Sequence, residues 1–523
     1  MKKELLKLLT VALAGILSSG CSDDNTPAPA ATIGITTEVP ENTPVVLAPG
    51  NTCKIEFKAE NAGNITANPA EGWQVDINPE EGYAQITAPE ADAPGDNQYK
   101  MTLTAQGGEK TAQAATVWFY CVKDFSDPKG AFVLNEGNMT SENGSLIYIT
   151  PEGYVLDNAY KAVNGTELGN VCQDMWFCGG KIYIISQNGD KNPVGSEFEN
   201  DGMLVIADAK TLKKVDAYTR DDLNGLTWPS HVGVLDEEHV YIRDNGSADG
   251  NTGNGKIWRL NTTTRELKAL EGSQGAPKAP FKQVGDKLYT YSREEGTFGI
   301  MKNYLWEIGA STDNVTKKKL SSGMTSINGI ESDGSDIYMM YQNSPDSYIW
   351  KFPPSASEYE LTFLDNFQFK KISYAPDEES ADEPDTATSQ TGKSSGKVMA
   401  VYGNYVYYLY DTSIYKVDFT PGTENGGIEV PESPTSLPRD EELVDLYSLD
   451  QTALIMYNGI SVNPTTGILY ANSIKGYGNF FTTNSIWGFD TNGTWENYLY
   501  KFDGYTHFPA GIFFPPANNT SNE

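Results

Sequence analysis

One unit, a turn followed by an aromatic-rich strand, recurs along the chain from residue 130. It reads "GAFVLNEGN", "GGKIYIISQNG", "EEHVYIRDNG", "GDKLYTYSREEG", "GSDIYMMYQNS", "GNYVYYLYDTS" and "TGILYANSIKG". A second strand pattern follows each, as in "KIWRLNTTTREL", "YLWEIGASTDNV" and "SIWGFDTNGTW". Units of this size cannot bury an apolar face alone and must stack on their neighbours. Six of the seven carry one more short strand in front, such as "DMWFCGG" or "HVGVLDE", and the first does not. The chain instead finishes on "FPAGIFFPP", an apolar strand with nothing downstream to pair with. Used to complete the first unit, it would shut a ring and remove two open sheet edges. The pattern therefore predicts an all-β fold: a seven-bladed β-propeller over residues 130–516, closed near Ile512 to Phe514, with a tail at 517–523.

Residues 33–123 have a different rhythm. Short runs such as "CKIEFKAE", "WQVDINP", "YKMTLTAQ" and "ATVWFYCV" alternate apolar and polar residues between Pro, Gly and Asn. Alternation of period two predicts antiparallel strands with one buried face, and the strand number and length suit a small immunoglobulin-like β-sandwich acting as a spacer. The acidic, weakly apolar stretch 373–397 is expected to be a solvated loop.

At the amino terminus, Lys2, Lys3 and Lys7 precede an apolar run, "LLTVALAGIL", too short to span a bilayer. Residues 1–20 thus read as a secretory leader. Ser18, Ser19 and Gly20 before Cys21 resemble the lipobox of bacterial lipoproteins, which implies removal of the leader and lipidation of Cys21. The following "SDDN" resembles the acidic signal that sends such proteins of Bacteroidota to the outer face of the outer membrane. Residues 21–32 would be a tether, so that the membrane is met through a lipid anchor only.

A formal charge of -32 argues against nucleic acid as a partner. Four cysteines besides Cys21 in an oxidising compartment suggest two disulfides among Cys53 and Cys121, which flank the early domain, and Cys172 and Cys178 in "CQDMWFC", with the pairing left open. The three histidines are too few for an imidazole-built metallohydrolase, and no nucleophile elbow, P-loop or dinucleotide fingerprint occurs. No cofactor and no catalysis are expected. The loop 244–255 is rich in hard oxygen donors, but its spacing does not match an EF-hand calcium loop.

In a propeller, the turns after the second strands and the connections between blades emerge on one face. Large rings and cations gather in those segments: Trp228 and His231, Phe281 and Lys282, Tyr457, then Tyr505, His507 and Phe508 between blades. Within blades come Arg243, Arg293, Lys302 and Lys475, with Tyr477, Phe480 and Phe481. Such a rim suits a large, planar, anionic ligand, because rings stack while Arg and Lys supply charged hydrogen bonds and cation–π contact.

"FVLNEGN", "GISVNPTTGILYANS" and "PAGIFF", with the Tyr-rich strands, resemble the surface-exposed β-propeller lipoproteins that accompany TonB-dependent transporters in Bacteroidota. That resemblance implies capture of cargo for an outer-membrane transporter. One branch takes ferric siderophores, notably the catecholate enterobactin, and another takes cobalamin (vitamin B12). The sandwich before the propeller and the cationic rim favour the siderophore branch, with cobalamin or glycan binding as alternatives.

Overall fold

The computed structural model describes residues 29–517 except 109, 191–198, 247–254, 297, 299, 312–313, 344–345, 364–367, 373–392, 396 and 421–440. The leader, Cys21, most of the tether and nearly all of the tail lie outside the described residues, as does most of the 244–255 loop.

The alternating pattern of the early strands translates directly into burial. Along Thr52–Glu60, Ile55 and Phe57 point inward while Lys54, Glu56 and Lys58 face solvent. This strand belongs to a four-stranded sheet with Thr32–Ile35, Tyr83–Thr87 and Gln74–Asn78. Opposite it stand two three-stranded sheets, Val45–Leu47 with Val117–Cys121 and Gln98–Met101, and Asn64–Ala67 with Leu103–Gly107 and Lys110–Gln113. Trp73, Tyr99 and Phe119 meet in the core between them, with ring centres 5.5 to 6.2 Å apart. Not every pairing is antiparallel: Val45–Leu47 runs parallel to Val117–Cys121. Alternation reports which face is buried and carries no information on the direction of the neighbouring strand.

From residue 131 onward the described strands form seven sheets. Five have simple sequential order: Asn170–Cys178 through Lys214–Tyr218, Pro229–Asp236 through Glu266–Ala269, Lys282–Val284 through Thr316–Lys319, Ser326–Ser332 through Gln368–Ile372, and Met399–Tyr402 through Glu441–Asp445. These are the second to sixth sheets. In the first sheet, Ala131–Asn135, Ser145–Ile149 and Val155–Leu156 are completed by Pro509–Phe513, which pairs Val133 with Ile512 and Leu134 with Gly511. The first strand of each sheet lies against the next sheet in order, and Ile455–Val462 of the seventh lies against Pro509–Phe513. The succession therefore closes on itself and leaves no sheet of the series without two neighbours.

Packing between sheets explains the recurring Trp of the third strands. Trp306, Trp350 and Trp487 are fully buried, and the indole N–H groups of Trp306 and Trp487 donate to Ser292 (2.6 Å) and Ser473 (2.9 Å) on the adjacent strand. Each ring fills a seam, and in Trp306 and Trp487 the one polar atom is satisfied locally.

Two sequence expectations are corrected here. All four described cysteines are free thiols. Cys172 and Cys178 lie on one extended strand, Asn170–Cys178, where six residues span about 20 Å, far beyond the roughly 7 Å limit for bridged Cα atoms. Cys121 is instead buried with its thiol directed to the Pro89 carbonyl, and burial raises its pKa to about 12. The other correction concerns the end of the 373–397 stretch. Lys393–Ser395 forms a fifth strand of the seventh sheet, parallel to Ile455–Val462, and Lys397 continues into the interior. "KSS" has no apolar pattern; the unpaired edge of its partner strand supplies the reason for extension.

Candidate functional site

Apart from the added strand Lys393–Ser395, neighbouring strands within each of the seven sheets run antiparallel, so the ends of the second strands and the starts of the first strands fall at one end of the ring. The turns after Asn135, Gly189, Asp244, Glu295 and Ile474 are at this end, which we call the mouth.

Glu136, just past the second strand of the first sheet, sits at its centre. The Tyr457 hydroxyl donates to Glu136 Oε1 at 3.2 Å, and Gln173 also hydrogen-bonds to the carboxylate. Burial pushes this carboxyl up to about 7, against the opposing pull of the Lys278 cation and of these two hydrogen bonds. Tyr457 in turn is held well above the ordinary tyrosine range, first by the Glu136 charge and then by burial. His231 Nδ1 lies 3.2 Å from Asp174 Oδ2, and burial keeps the imidazole below its usual value although Asp174 favours the charged form. Lys278 acts on His231 as well as on Glu136, so four sheets and one connection converge here.

Beside this polar centre is a ledge of rings from the seventh and first sheets. Phe481 stacks on Phe508 with centres 4.6 Å apart, and Tyr477 stacks on the same ring at 6.2 Å. Tyr457 meets both Tyr477 and Phe508 edge-on at 6.0 Å, and His507 meets Phe481 at 6.1 Å. The ledge is locked to the polar centre through the backbone: Glu136 N–H donates to the Phe508 carbonyl (2.7 Å) and Gly137 N–H to that of His507 (3.0 Å). Phe508 is left-handed at φ 56°, a rare state for an aromatic residue, and Asn458 next to Tyr457 is left-handed at φ 45°. Strained backbone of this kind persists where surroundings over-determine it, often at ligand sites. Charge is present too: Lys475 Nζ lies 5.6 Å from the centre of the exposed Phe480 ring, and Glu142, 2.9 Å from His507, raises that imidazole's pKa.

Deeper along the axis the first strands meet through ions. Glu331 takes Lys282 at 2.7 Å and Lys397 at 3.3 Å, and Lys397 donates to Ser461 Oγ at 2.8 Å. Burial alone would raise the Glu331 carboxyl, but the two cations hold it below the usual range.

The residues singled out from the sequence thus divide. Tyr457, Lys475, Tyr477, Phe480 and His507 come together at the ledge, and His231 joins the polar centre. The seven others are placed differently. Arg243 is 1% exposed and donates to Ser230 Oγ, Asn245 Oδ1 and the Ala276 carbonyl, because a guanidinium on an interior strand position must satisfy its donors locally. Phe281 is core, packed with Leu288 and Trp306; its Cβ approaches Gly233 so closely that a methyl there would sit 3.0 Å away. Lys282 is neutralised by Glu331. Tyr505 faces Phe502 and the packing between the seventh and first sheets. Arg293 and Lys302 are exposed on the two arms of the Lys287–Glu295 and Met301–Gly309 hairpin, opposite Asn303 and Glu294. Trp228 is half-buried, and its backbone N–H donates to Asp244, the carboxylate of the oxygen-rich loop.

Glu136, Gln173, Asp174 and Lys278 were not foreseen. Glu136 lies within "FVLNEGN", but nothing in that string announces a tyrosine 321 residues away. Among the described residues, no group of three or more His, Cys, Asp or Glu side chains is placed to hold a metal ion.

A family model described as a domain of unknown function, DUF5074, matches residues 129–515. The chain belongs to this family. Its matched segment takes in all seven sheets and both halves of the mouth. No curated protein matches the sequence. Similar solved structures include a provisionally assigned 6-phosphogluconolactonase from Bacteroides uniformis ATCC 8492, 12% identical over 74% of this chain and 98% of that one, with a TM-score of 0.41. Oligogalacturonate lyase from Vibrio parahaemolyticus is 9% identical over 82% and 98%, at 0.37. TolB from Acinetobacter baumannii is 11% identical over 73% and 81%, at 0.34. At these scores the likenesses add nothing to the strand topology of this DUF5074 protein.

Proposed function

We propose that this chain is a non-catalytic capture protein of the bacterial cell surface. In this reading the seven sheets are the blades of a β-propeller and the strands before residue 123 form an immunoglobulin-like sandwich that spaces it from a lipid anchor at Cys21 facing the extracellular side. The cargo is a ferric siderophore of the catecholate, enterobactin type, laid across the mouth and passed to a TonB-dependent outer-membrane transporter. The observation that carries the reading is the ledge of Tyr457, Tyr477, Phe481 and Phe508, partly open and held in strained backbone beside Lys475 and Lys278. Flat aromatic ligands stack on such a surface, and the two lysines favour negative charge.

A second reading, cobalamin as cargo, is favoured by one observation. Arg243 is buried and Lys282 half-buried, both engaged by internal partners, and Glu136, Asp174 and Glu142 stand among the remaining cations, so the mouth is less positive than the sequence implied. A large ligand near neutrality suits that balance.

Titrating intrinsic tryptophan fluorescence with ferric enterobactin and, separately, with cyanocobalamin separates the two. Saturable quenching at micromolar ferric enterobactin, reduced when Phe481 and Phe508 are both replaced by Ala, supports the first; a response to cyanocobalamin alone replaces it with the second. No response to either overturns capture of these cargoes.

A further inference from the structure

The mouth holds an imidazole whose second nitrogen is unused. His231 is on the first strand of the third sheet and Asp174 on that of the second, and each follows a break in strand register, between Pro229 and His231 and between Cys172 and Asp174. Irregularities of this kind re-aim side chains, and here they bring the two together. Asp174 Oδ1 accepts from the Met175 N–H at 2.9 Å and Oδ2 from the Val232 N–H at 3.2 Å, so backbone donors fix the carboxylate. A carboxylate can only accept from His231 Nδ1, 3.2 Å away. The proton therefore sits on Nδ1 and the lone pair on Nε2. No described residue bonds to Nε2, and 18% of the side chain remains open.

The other two histidines do not offer this. Glu142, 2.9 Å from His507, favours the charged form of that ring, which has no lone pair to give. His239 bonds to Asp236 in the turn after the first strand, at the far end of the ring. Around His231, burial opposes a second proton more strongly than Asp174 favours it, and the Lys278 cation opposes it too. A neutral imidazole whose Nδ1–H is pinned by a carboxylate is built as a metal ligand is built. A bare ion would find too few other ligands, because among the described residues no three His, Cys, Asp or Glu side chains converge. The remaining ligands must arrive with the metal. His231 is also connected to the ledge: Gln173, next to Asp174, bonds to Glu136, which takes the Tyr457 hydroxyl, and the Tyr457 ring meets Tyr477 and Phe508.

We propose that His231 Nε2 coordinates the metal of a bound chelate, so that the mouth prefers chelates with an open or exchangeable position over saturated ones. This rests on the capture reading above. Ferric iron in a bis-catecholate leaves part of its coordination shell to water, whereas ferric enterobactin, a tris-catecholate, leaves none. Aquocobalamin likewise carries an exchangeable water where cyanocobalamin carries cyanide. In either case the Nε2 lone pair forms the new bond to the metal, a water leaves, and the oxidation state is unchanged.

The test is titration of the full chain with four probes: the one-to-one ferric complex of the linear dimer of 2,3-dihydroxybenzoylserine, ferric enterobactin, aquocobalamin and cyanocobalamin. Tryptophan quenching reads binding, and visible absorption reads the coordination of the metal. At least one of the two open chelates should shift its visible band on binding, and which one does so identifies the cargo. His231→Ala should abolish the shift and weaken that chelate at least about tenfold, while affinity for its saturated counterpart stays as in the parent. His231→Gln, which can still donate to Asp174, takes its place if the Ala variant unfolds. Equal weakening of both counterparts would mean that His231 only packs, and quenching by an open chelate without a band shift would leave capture standing and remove coordination. Either result overturns the proposal, as does binding confined to the saturated probes. Absence of quenching by all four overturns the capture reading itself, and this proposal with it.

Discussion

Phe281 and Phe481 both sit in connecting segments at the same end of the ring, yet they have opposite fates. Phe281, on the side of the third and fourth sheets, is 2% exposed and belongs to a core cluster with Tyr241 and Trp306. Phe481, on the side of the seventh, is half-buried and stacks on Phe508 at the mouth. The cations follow the same division: Arg243 and Lys282 are consumed by internal partners, whereas Lys475 lies over an exposed ring. Residue type does not decide availability for a ligand; the neighbouring sheet does, by closing over one ring and leaving the other open.

The sharpest way to break this comparison is to truncate both rings. Phe281→Ala should cost about 3–5 kcal/mol of stability, read by urea denaturation, through lost burial and the cavity left beside Gly233. A loss below about 1 kcal/mol would mean the third-to-fourth seam is not packed as described. Affinity for the proposed cargo, measured below the unfolding transition, should barely change.

Next in size is a pH effect at Glu136. Its folded pKa of about 7 exceeds the ordinary 4.5, so the folded state holds a proton that the unfolded state releases. Stability from this group is complete below pH 4.5 and declines as pH rises through 7, by about 3 kcal/mol at most. Glu136→Gln removes the titration. The stability difference between parent and variant should therefore grow in favour of the variant between pH 4.5 and 8, and a difference flat with pH would show that Glu136 is solvated.

Phe481→Ala should reverse the Phe281 pattern. Affinity for the proposed cargo should fall by about 1–2 kcal/mol with the lost ring, while stability changes less, as the fluorescence titration and denaturation curves together would show. Lys475→Ala is the smallest effect, about 0.5–1 kcal/mol in affinity, and it should shrink further at high salt.

Much of the fold was legible because alternation and repetition are local signals. "KIWRL", "YLWEI" and "SIWGF" each show the third-strand Trp, and the unmatched "FPAGIFF" points to the first unit's missing strand. The site was legible only in part. The ledge residues are dense enough in "GYGNFF" and "DGYTHFPAG" to stand out, but the burial of Arg243 is set by Ala276 and that of Glu136 by Tyr457, partners far away in sequence. Cys172 and Cys178 misled for a related reason: a spacing of six does not reveal whether the backbone between them turns back or runs straight. Lys393–Ser395 carries no strand pattern of its own and is extended by its neighbour.

The pairing of Ala131–Asn135 with Pro509–Phe513 has a consequence for biosynthesis. A nascent chain can build five or six of these sheets while still emerging, but the first stays a half-dressed edge until residue 513 has been made. Products stopped a few codons early would carry a raw seam at both ends, a natural handle for quality-control proteases.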